Sequence, residues 1–337
     1  MAVVFVTGCA GFIGYHLAYQ LLKRGDTVIG IDNLNNYYDV GLKLDRLAHL
    51  RANHQFTFYA GDITDMAVLE RIFTTHEPQI VVNLAAQAGI RYSLENPMAY
   101  IQSNVVGFSC ILESCRHHPV QHLVYASSSS VYGNSADIPL SVRAVTDQPI
   151  SLYAATKKSN ELMAYTYSHL YGIPSTGLRF FTVYGPWGLP DMAPMIFMKA
   201  ILEGKPINVF NYGRMKRDFT YVDDIVGGIT KIMSLPPDSG VNDSNDVTNV
   251  LPTMARHRVY NIGNSEPIEL LRFISVLEEK LGKKADLKLL PAQPGDVLET
   301  HADVEDLERD FGFSPKTSIE TGLSQMVTWY REYKGIQ

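Results

Sequence analysis

The sequence predicts an α/β protein: a doubly wound parallel sheet that carries a smaller mixed α/β lobe. Three observations predict it. Short β-branched apolar runs alternate with longer helical patterns through the first half of the chain, the first run passes through a glycine-rich turn into a helix, and beyond residue 181 the alternation loosens into Gly- and Pro-rich sequence with shorter elements. At 337 residues with 46% hydrophobic content, the chain can bury a large core as one big domain or two intimate ones.

Taken in order, AVVFVTG (2–8), DTVIGID (26–32), FTFYAGD (56–62), IVVNLAA (80–86) and HLVYASS (122–128) are continuous apolar runs, the pattern of parallel strands covered on both faces. Helical stretches near 12–24, 65–75 and 98–117 lie between them, and STGLRFF (175–181) closes the series. Residues 1–181 are therefore assigned to the main sheet domain and 182–337 mainly to the smaller lobe, with short elements around 191–203, 207–210 and 266–281. Within the second part, 219–233 and 258–263 read as a helix and a strand returning to the main sheet, and the polar, turn-rich stretch 236–253 reads as an exposed loop.

Composition excludes several classes. A net charge of −6 without any Lys/Arg run gives no footprint for nucleic acid. Cys9, Cys110 and Cys115 are odd in number and lack ligand spacing, so neither a metal site nor a disulfide is expected, and the free thiols suit a reducing cytosol. The first strand begins at Ala2 without a basic leader, and no apolar run reaches the roughly 18 residues of a membrane span. A cytoplasmic protein with no membrane partner is expected. His117 and His118 have no ligand spacing and read as helix-end surface groups.

The first chemical motif is GCAGFIG, which places Gly8, Gly11 and Gly14 directly after a strand and at the opening of a helix. Glycines there let the backbone turn tightly and approach a pyrophosphate, whose charge meets the unpaired N–H groups of the helix start. Asp32 ends the second strand, where a carboxylate accepts from a ribose diol and repels a 2′-phosphate. The combination predicts a Rossmann-type site for NAD rather than NADP. Asp62, after the third strand, reads equally as a contact to the adenine edge or as a helix N-cap.

The second motif is Tyr153 and Lys157, one turn apart on a helix starting near Ser151. A phenol of ordinary pKa (about 10) is no base at neutral pH, but a neighbouring ammonium and a nicotinamide cation both favour the phenolate. Tyr153 is thus expected to act as general base, with Ser128 hydrogen-bonding the same substrate hydroxyl.

These motifs, together with IDNLNNYYDV, NLAAQAGIRYS, YASSSSVYG, FFTVYGPWG, PDMAP, RDFTYVDDI, YNIGNS and QPGDV, resemble the extended short-chain dehydrogenase/reductase superfamily over nearly the whole chain, most closely its UDP-glucuronate 4-epimerases. The resemblance implies bound NAD, with Phe12, Ile13, Asn33, Ile63, Leu84, Ala85 and Ala86 joining the glycines, Asp32 and Asp62 around it. It implies a UDP-sugar in the cleft between lobes, held by Ser128, Ser129, Ser130, Thr182 and Asp296, with Phe210 stacking on uracil and Arg217 on the pyrophosphate. It also implies a homodimer packed through the helices near 98–117 and 151–171.

Within this superfamily, relatives that dehydrate the sugar place an Asp-Glu pair where this chain has Ser129 and Ser130, and decarboxylating relatives usually place a Glu there. Eliminating water needs a general acid and a general base, and here the strand end offers only hydroxyls. What remains is oxidation at C4, rotation of the keto-sugar and hydride return to its other face: epimerisation. If the sugar is a uronic acid, its 4-keto form is a β-keto acid, and Ser129, Ser130 and Thr182 would hold the carboxylate out of the alignment that releases carbon dioxide. Small residues in a tight strand-end turn are the alternative reading of the same serines. Leu189 stands where the glucuronate family usually has Arg, Thr300 stands where some galactose epimerases carry a bulky Tyr and so leaves room beyond a plain hexose, and Leu298 departs from the usual small or acidic residue. The expected reaction is interconversion of UDP-glucuronate and UDP-galacturonate. The alternatives are a 4-epimerase of neutral UDP-hexoses or N-acetylhexosamines and, in another class, a catalytically idle NAD-binding regulator.

Overall fold

A computed structural model of the chain describes residues 1–135, 137–238, 255–293 and 297–336. The first half contains β1 (Val3–Thr7), α1 (Phe12–Arg24), β2 (Thr27–Asp32), α2 (Val40–Arg51), β3 (Phe56–Ala60), α3 (Met66–His76) and β4 (Ile80–Asn83). Two single-turn helices follow, α4 (Tyr92–Glu95) and α5 (Pro97–Tyr100), then a π-helical stretch Ile101–Val106 that runs into α6 (Gly107–His117). Next come β5 (His122–Ser128), a 3₁₀ turn Ser129–Tyr132, α7 (Leu152–Tyr171) and β6 (Ser175–Phe180). The remainder is β7 (Thr182–Tyr184), α8 (Ala193–Glu203), β8 (Ile207–Val209), β9 (Lys216–Tyr221), α9 (Val222–Ile232), β10 (His257–Ile262), β11 (Pro267–Glu269), α10 (Leu270–Leu281), β12 (Leu287–Leu289), α11 (Glu305–Phe311) and α12 (Ile319–Lys334).

Seven strands form one parallel sheet in the order β10-β6-β5-β4-β1-β2-β3. Alternate residues of each strand feed opposite layers. Val4 and Val6 of β1 pack in one cluster with Leu17 and Leu21 of α1 and Ile225 and Ile229 of α9, whereas Phe5 faces Phe73 of α3, Phe108 and Leu112 of α6 and Ala164 of α7. Both faces are therefore covered, which explains the continuous apolar runs. The smaller lobe has its own core, where Met198, Phe219, Phe273, Leu277 and Leu323 meet around a three-stranded sheet β11-β9-β7 and a parallel pair β12-β8.

Several sequence expectations change in detail. The strands beginning at 56 and 80 end at Ala60 and Asn83, because the chain beyond them leaves the sheet to line a cavity. The single helix expected over 98–117 is interrupted by the π-helical stretch, which contains Asn104. Residues 216–221 form a strand of the smaller sheet, and the helix that covers the main sheet starts only at Val222. Helices α2, α4, α11 and α12 are additions to the elements read from sequence. The loop expected over 236–253 lies outside the described residues from 239 onward. The three cysteines are free, and among the described residues no helix is long and apolar enough to cross a membrane.

Candidate active site

The strand order reverses direction between β1 and β4, so the loops leaving their C-terminal ends part and leave a crevice. A cavity of about 770 Å³ opens there, walled by the main sheet on one side and the smaller lobe on the other.

Its inner wall is the turn from β1 to α1. Gly8 has φ +67°, and a Cβ on it would lie 2.9 Å from the backbone of Ala85. A Cβ on Gly14 would lie 2.1 Å from the carbonyl oxygen of Gly8, so loop and helix can close on each other only through glycine. The N-terminus of α1 at Gly11 has no side-chain cap, which leaves its N–H groups and the positive end of the helix dipole for an anion. Asp32 is buried at the end of β2, accepts from the N–H groups of Ala10 (3.2 Å) and Leu34 (2.9 Å), and stands 3.7 Å from the Lys43 ammonium. Asp62 is not the cap of α3. That cap is Asp65, which accepts from Ala67 and Val68. Asp62 instead binds Asn33 Nδ2 (2.7 Å) and both the N–H and hydroxyl of Thr64. Burial raises its pKa, but these donors more than offset that and hold the carboxyl below the ordinary range.

The reacting wall is built by β5 and α7. Ser151 caps α7 by accepting from Ala154, which starts the helix so that Tyr153 falls in its first turn. Lys157, one turn on, donates to the Ala126 carbonyl at 2.9 Å, and burial lowers its pKa to about 8. Burial also raises the Tyr153 phenol above its ordinary value, opposed by a hydrogen bond with Ser128. The lowering of Tyr153 by Lys157 expected from sequence is not seen in the dinucleotide-free protein, where burial sets the direction and Ser128 is what opposes it. Ser128 ends β5 and caps the 3₁₀ turn by accepting from the Ser130 N–H, while its hydroxyl donates to Ser130 Oγ at 3.1 Å.

Every sequence-predicted site residue among the described ones lines this cavity: Gly8, Gly11, Phe12, Ile13, Gly14, Asp32, Asn33, Asp62, Ile63, Leu84, Ala85, Ala86, Ser128, Ser129, Ser130, Tyr153, Lys157, Thr182, Phe210 and Arg217. Asp296 lies outside the described residues. Leu189 and Thr300 also line it; Leu189 packs against the smaller lobe's core, and Thr300 Oγ1 accepts from the Asp218 N–H. Arg217 donates to the Lys216 and Leu298 carbonyls. Four of the lining residues that sequence reasoning misses stand out. Arg91 covers the Phe210 ring at 4.7 Å, Tyr37 bonds Asp191, and Gln87 follows Ala86. Each was visible only as part of a motif, with no local spacing to single it out.

The comparisons with known proteins decide the family. The model of the GDP-mannose 4,6 dehydratase family matches residues 5–326. This chain belongs to the NAD-dependent epimerase/dehydratase family of extended short-chain dehydrogenases/reductases. It is 52% identical over 330 residues to the protein CapI of Staphylococcus aureus (98% of each chain) and 45% identical over 330 residues to a probable UDP-glucuronate 4-epimerase of Rhizobium meliloti (96% of each). Its fold superposes with a TM-score of 0.86 on a UDP-glucuronic acid 4-epimerase from Bacillus cereus in complex with UDP-glucuronic acid and NAD, at 32% identity over 98% of this chain and 99% of that one. The uncapped α1 terminus, the close-packed Gly8 and Gly14 and the carboxylate of Asp32 fit NAD, the dinucleotide present in the Bacillus complex.

Proposed function

We propose that the protein is a UDP-sugar 4-epimerase that interconverts UDP-glucuronate and UDP-galacturonate with bound NAD. The observation that carries this reading is the end of β5, where Ser128, Ser129 and Ser130 meet Thr182 in the cavity of Tyr153 without a carboxylate among them. The names of the Rhizobium relative and of the Bacillus complex support it. NAD supplies the hydride acceptor and donor at C4. Tyr153 takes the C4 hydroxyl proton and later returns it, Ser128 orients that hydroxyl, and Lys157 holds a positive charge beneath the phenol. Hydroxyls of Ser129, Ser130 and Thr182 donate to the sugar carboxylate and keep it out of line with the C4 carbonyl. With no acid or base at these positions, the keto-sugar is neither dehydrated nor decarboxylated and accepts hydride on its other face after rotating.

A second reading, neutral UDP-hexoses or N-acetylhexosamines as substrates, is favoured by Leu189, an apolar side chain lining the cavity where the glucuronate family usually has Arg. Chromatography of parallel reactions with UDP-glucuronate, UDP-glucose and UDP-N-acetylglucosamine separates the two. Conversion of UDP-glucuronate to UDP-galacturonate with little UDP-pentose is expected, and conversion of only the neutral sugars overturns the uronate assignment. We further propose a homodimer through the helical stretch 98–117 and α7, whose Met98 (66% exposed), Leu162 (58%) and Leu170 (60%) are solvent-facing in the single chain. Sedimentation as a monomer at micromolar concentration would refute it.

A further inference from the structure

Arg46 is fully buried on α2, at the back of the turn from β1 to α1. Its bonds come from the two terminal nitrogens of the guanidinium and run to neutral oxygens. Nη1 donates to the Ala10 carbonyl and to the Tyr38 hydroxyl, both at 2.8 Å, and Nη2 donates to the Trp187 carbonyl. A buried cation that meets only neutral acceptors carries a heavy desolvation cost, and an apolar side chain would fill the same space at less. Stability alone therefore does not account for it.

The three acceptors belong to three walls of the cavity. Ala10 lies in the turn between Gly8 and Gly11, and its N–H donates to Asp32 at 3.2 Å, so the residue is gripped by a carboxylate on one side and by Arg46 on the other. The planar Ala10–Gly11 peptide is then fixed at both ends, because the Gly11 N–H donates to the Gly8 carbonyl at 2.9 Å. The next N–H groups along the chain are the uncapped ones of α1, and their direction follows from that peptide. Tyr38 belongs to the loop after β2 and lines the cavity. Trp187 leads into Leu189, Asp191 and Met192 at the smaller lobe's wall. Its backbone stands at φ +59°, a region that a bulky residue enters rarely and keeps only where its surroundings hold it. Arg46 supplies part of that hold.

A planar fork can serve the Ala10 and Trp187 carbonyls at once, whereas the single ammonium of a lysine is one point of charge. We propose that Arg46 is a positioning residue of the dinucleotide site: by holding these two carbonyls together it fixes the N–H groups that receive the cofactor diphosphate, and so governs how long NAD stays bound. The inference rests on the cofactor and not on which sugar the cavity takes.

Exchange of bound NAD for excess radiolabelled NAD, followed on the NAD-loaded protein, tests this for wild type, Arg46→Met, Arg46→Lys and Leu50→Ala. Arg46→Met should exchange about tenfold faster than wild type, the value of a lost charged hydrogen bond read in a dissociation rate. Arg46→Lys, which keeps the charge but reaches one carbonyl, should fall between the two. Leu50→Ala empties buried space one turn further along α2 and lowers the unfolding temperature, yet should exchange within about twofold of wild type. Exchange at the wild-type rate in Arg46→Met overturns the proposal. So does Leu50→Ala exchanging as fast as Arg46→Met at a similar unfolding temperature, since lost stability then explains both. If Arg46→Met does not fold, Arg46→Lys decides, and exchange within about twofold of wild type overturns the proposal. Wild type that takes up no NAD refutes the cofactor assignment, and the proposal with it.

Discussion

The Tyr37 hydroxyl donates to the Asp191 carboxylate at 2.6 Å, joining two cavity-lining residues 154 positions apart. One belongs to the loop after β2 and the other to the segment before α8, so a single bond fastens the cofactor wall to the smaller lobe. Burial and the Asp191 carboxylate both push the Tyr37 phenol up, which keeps the proton on the tyrosine and the bond made. In a double-mutant cycle of Tyr37→Phe and Asp191→Ala, the two residues should show a coupling of about 1 kcal/mol in denaturant unfolding, the size of a net hydrogen bond at a partly exposed site. Additive losses would show that the bond does not hold in solution.

Tyr153→Phe removes the group assigned to the C4 hydroxyl proton while leaving the ring packed beside Tyr100. Turnover should fall by at least about 10²-fold with UDP affinity largely kept. Near-normal turnover would take Tyr153 out of the mechanism.

Lys157 is buried, and its ammonium pKa falls from 10.5 to about 8. Because the folded value lies below the unfolded one, the unfolded chain binds the extra proton between about pH 8 and 10.5, and the protein gains stability from this group as pH rises through that window. Below it, the buried charge costs about 3 kcal/mol, part of which its bond to Ala126 returns. Lys157→Met should therefore stabilise the dinucleotide-free protein by ~2 kcal/mol at pH 7 and by progressively less toward pH 10.5, while turnover is lost. Urea unfolding at several pH values measures it, and a destabilised variant at pH 7 contradicts the argument.

Leu189→Arg adds a cation at the sugar end of the cavity. The ratio of kcat/KM for UDP-glucuronate over UDP-glucose should rise about tenfold, the value of one charged hydrogen bond. Because Leu189 also packs on the smaller lobe's core, the ratio rather than the absolute rate is the readout. A ratio that stays flat or falls would place the carboxylate elsewhere.

The parallel strands are legible in the sequence because burial on both faces leaves nothing but apolar residues in them, as in Val3–Thr7. Helix α2 is not, because it buries Lys43 and Arg46 beside Leu42, Leu47 and Leu50, and buried cations blur the amphipathic pattern. Strand β9 hides for the same reason behind its Lys216-Arg217-Asp218 start, although Asp218 is fully buried and bonded to Asn264, Ser265 and Ala302. In the site, local spacing reveals Gly8 to Gly14 and Tyr153 with Lys157, since each set acts within one turn. Tyr37 with Asp191, Arg91 with Phe210 and Arg46 with Trp187 arise only when distant segments meet, and no period in the chain encodes them.

The ammonium of Lys43, 3.7 Å from Asp32 and facing the same cavity, bears on redesign. Gly8 and Gly14 leave no room for change, so the shape of the dinucleotide cradle is closed to engineering. Its choice between the two dinucleotides rests instead on side-chain charge: the Asp32 carboxylate turns a 2′-phosphate away, and the Lys43 ammonium beside it is held by Asp32 and Asn35. Neutralising Asp32, as in Asp32→Ser, should therefore weaken the preference for NAD, and the ratio of NAD to NADP released on denaturing the protein measures it.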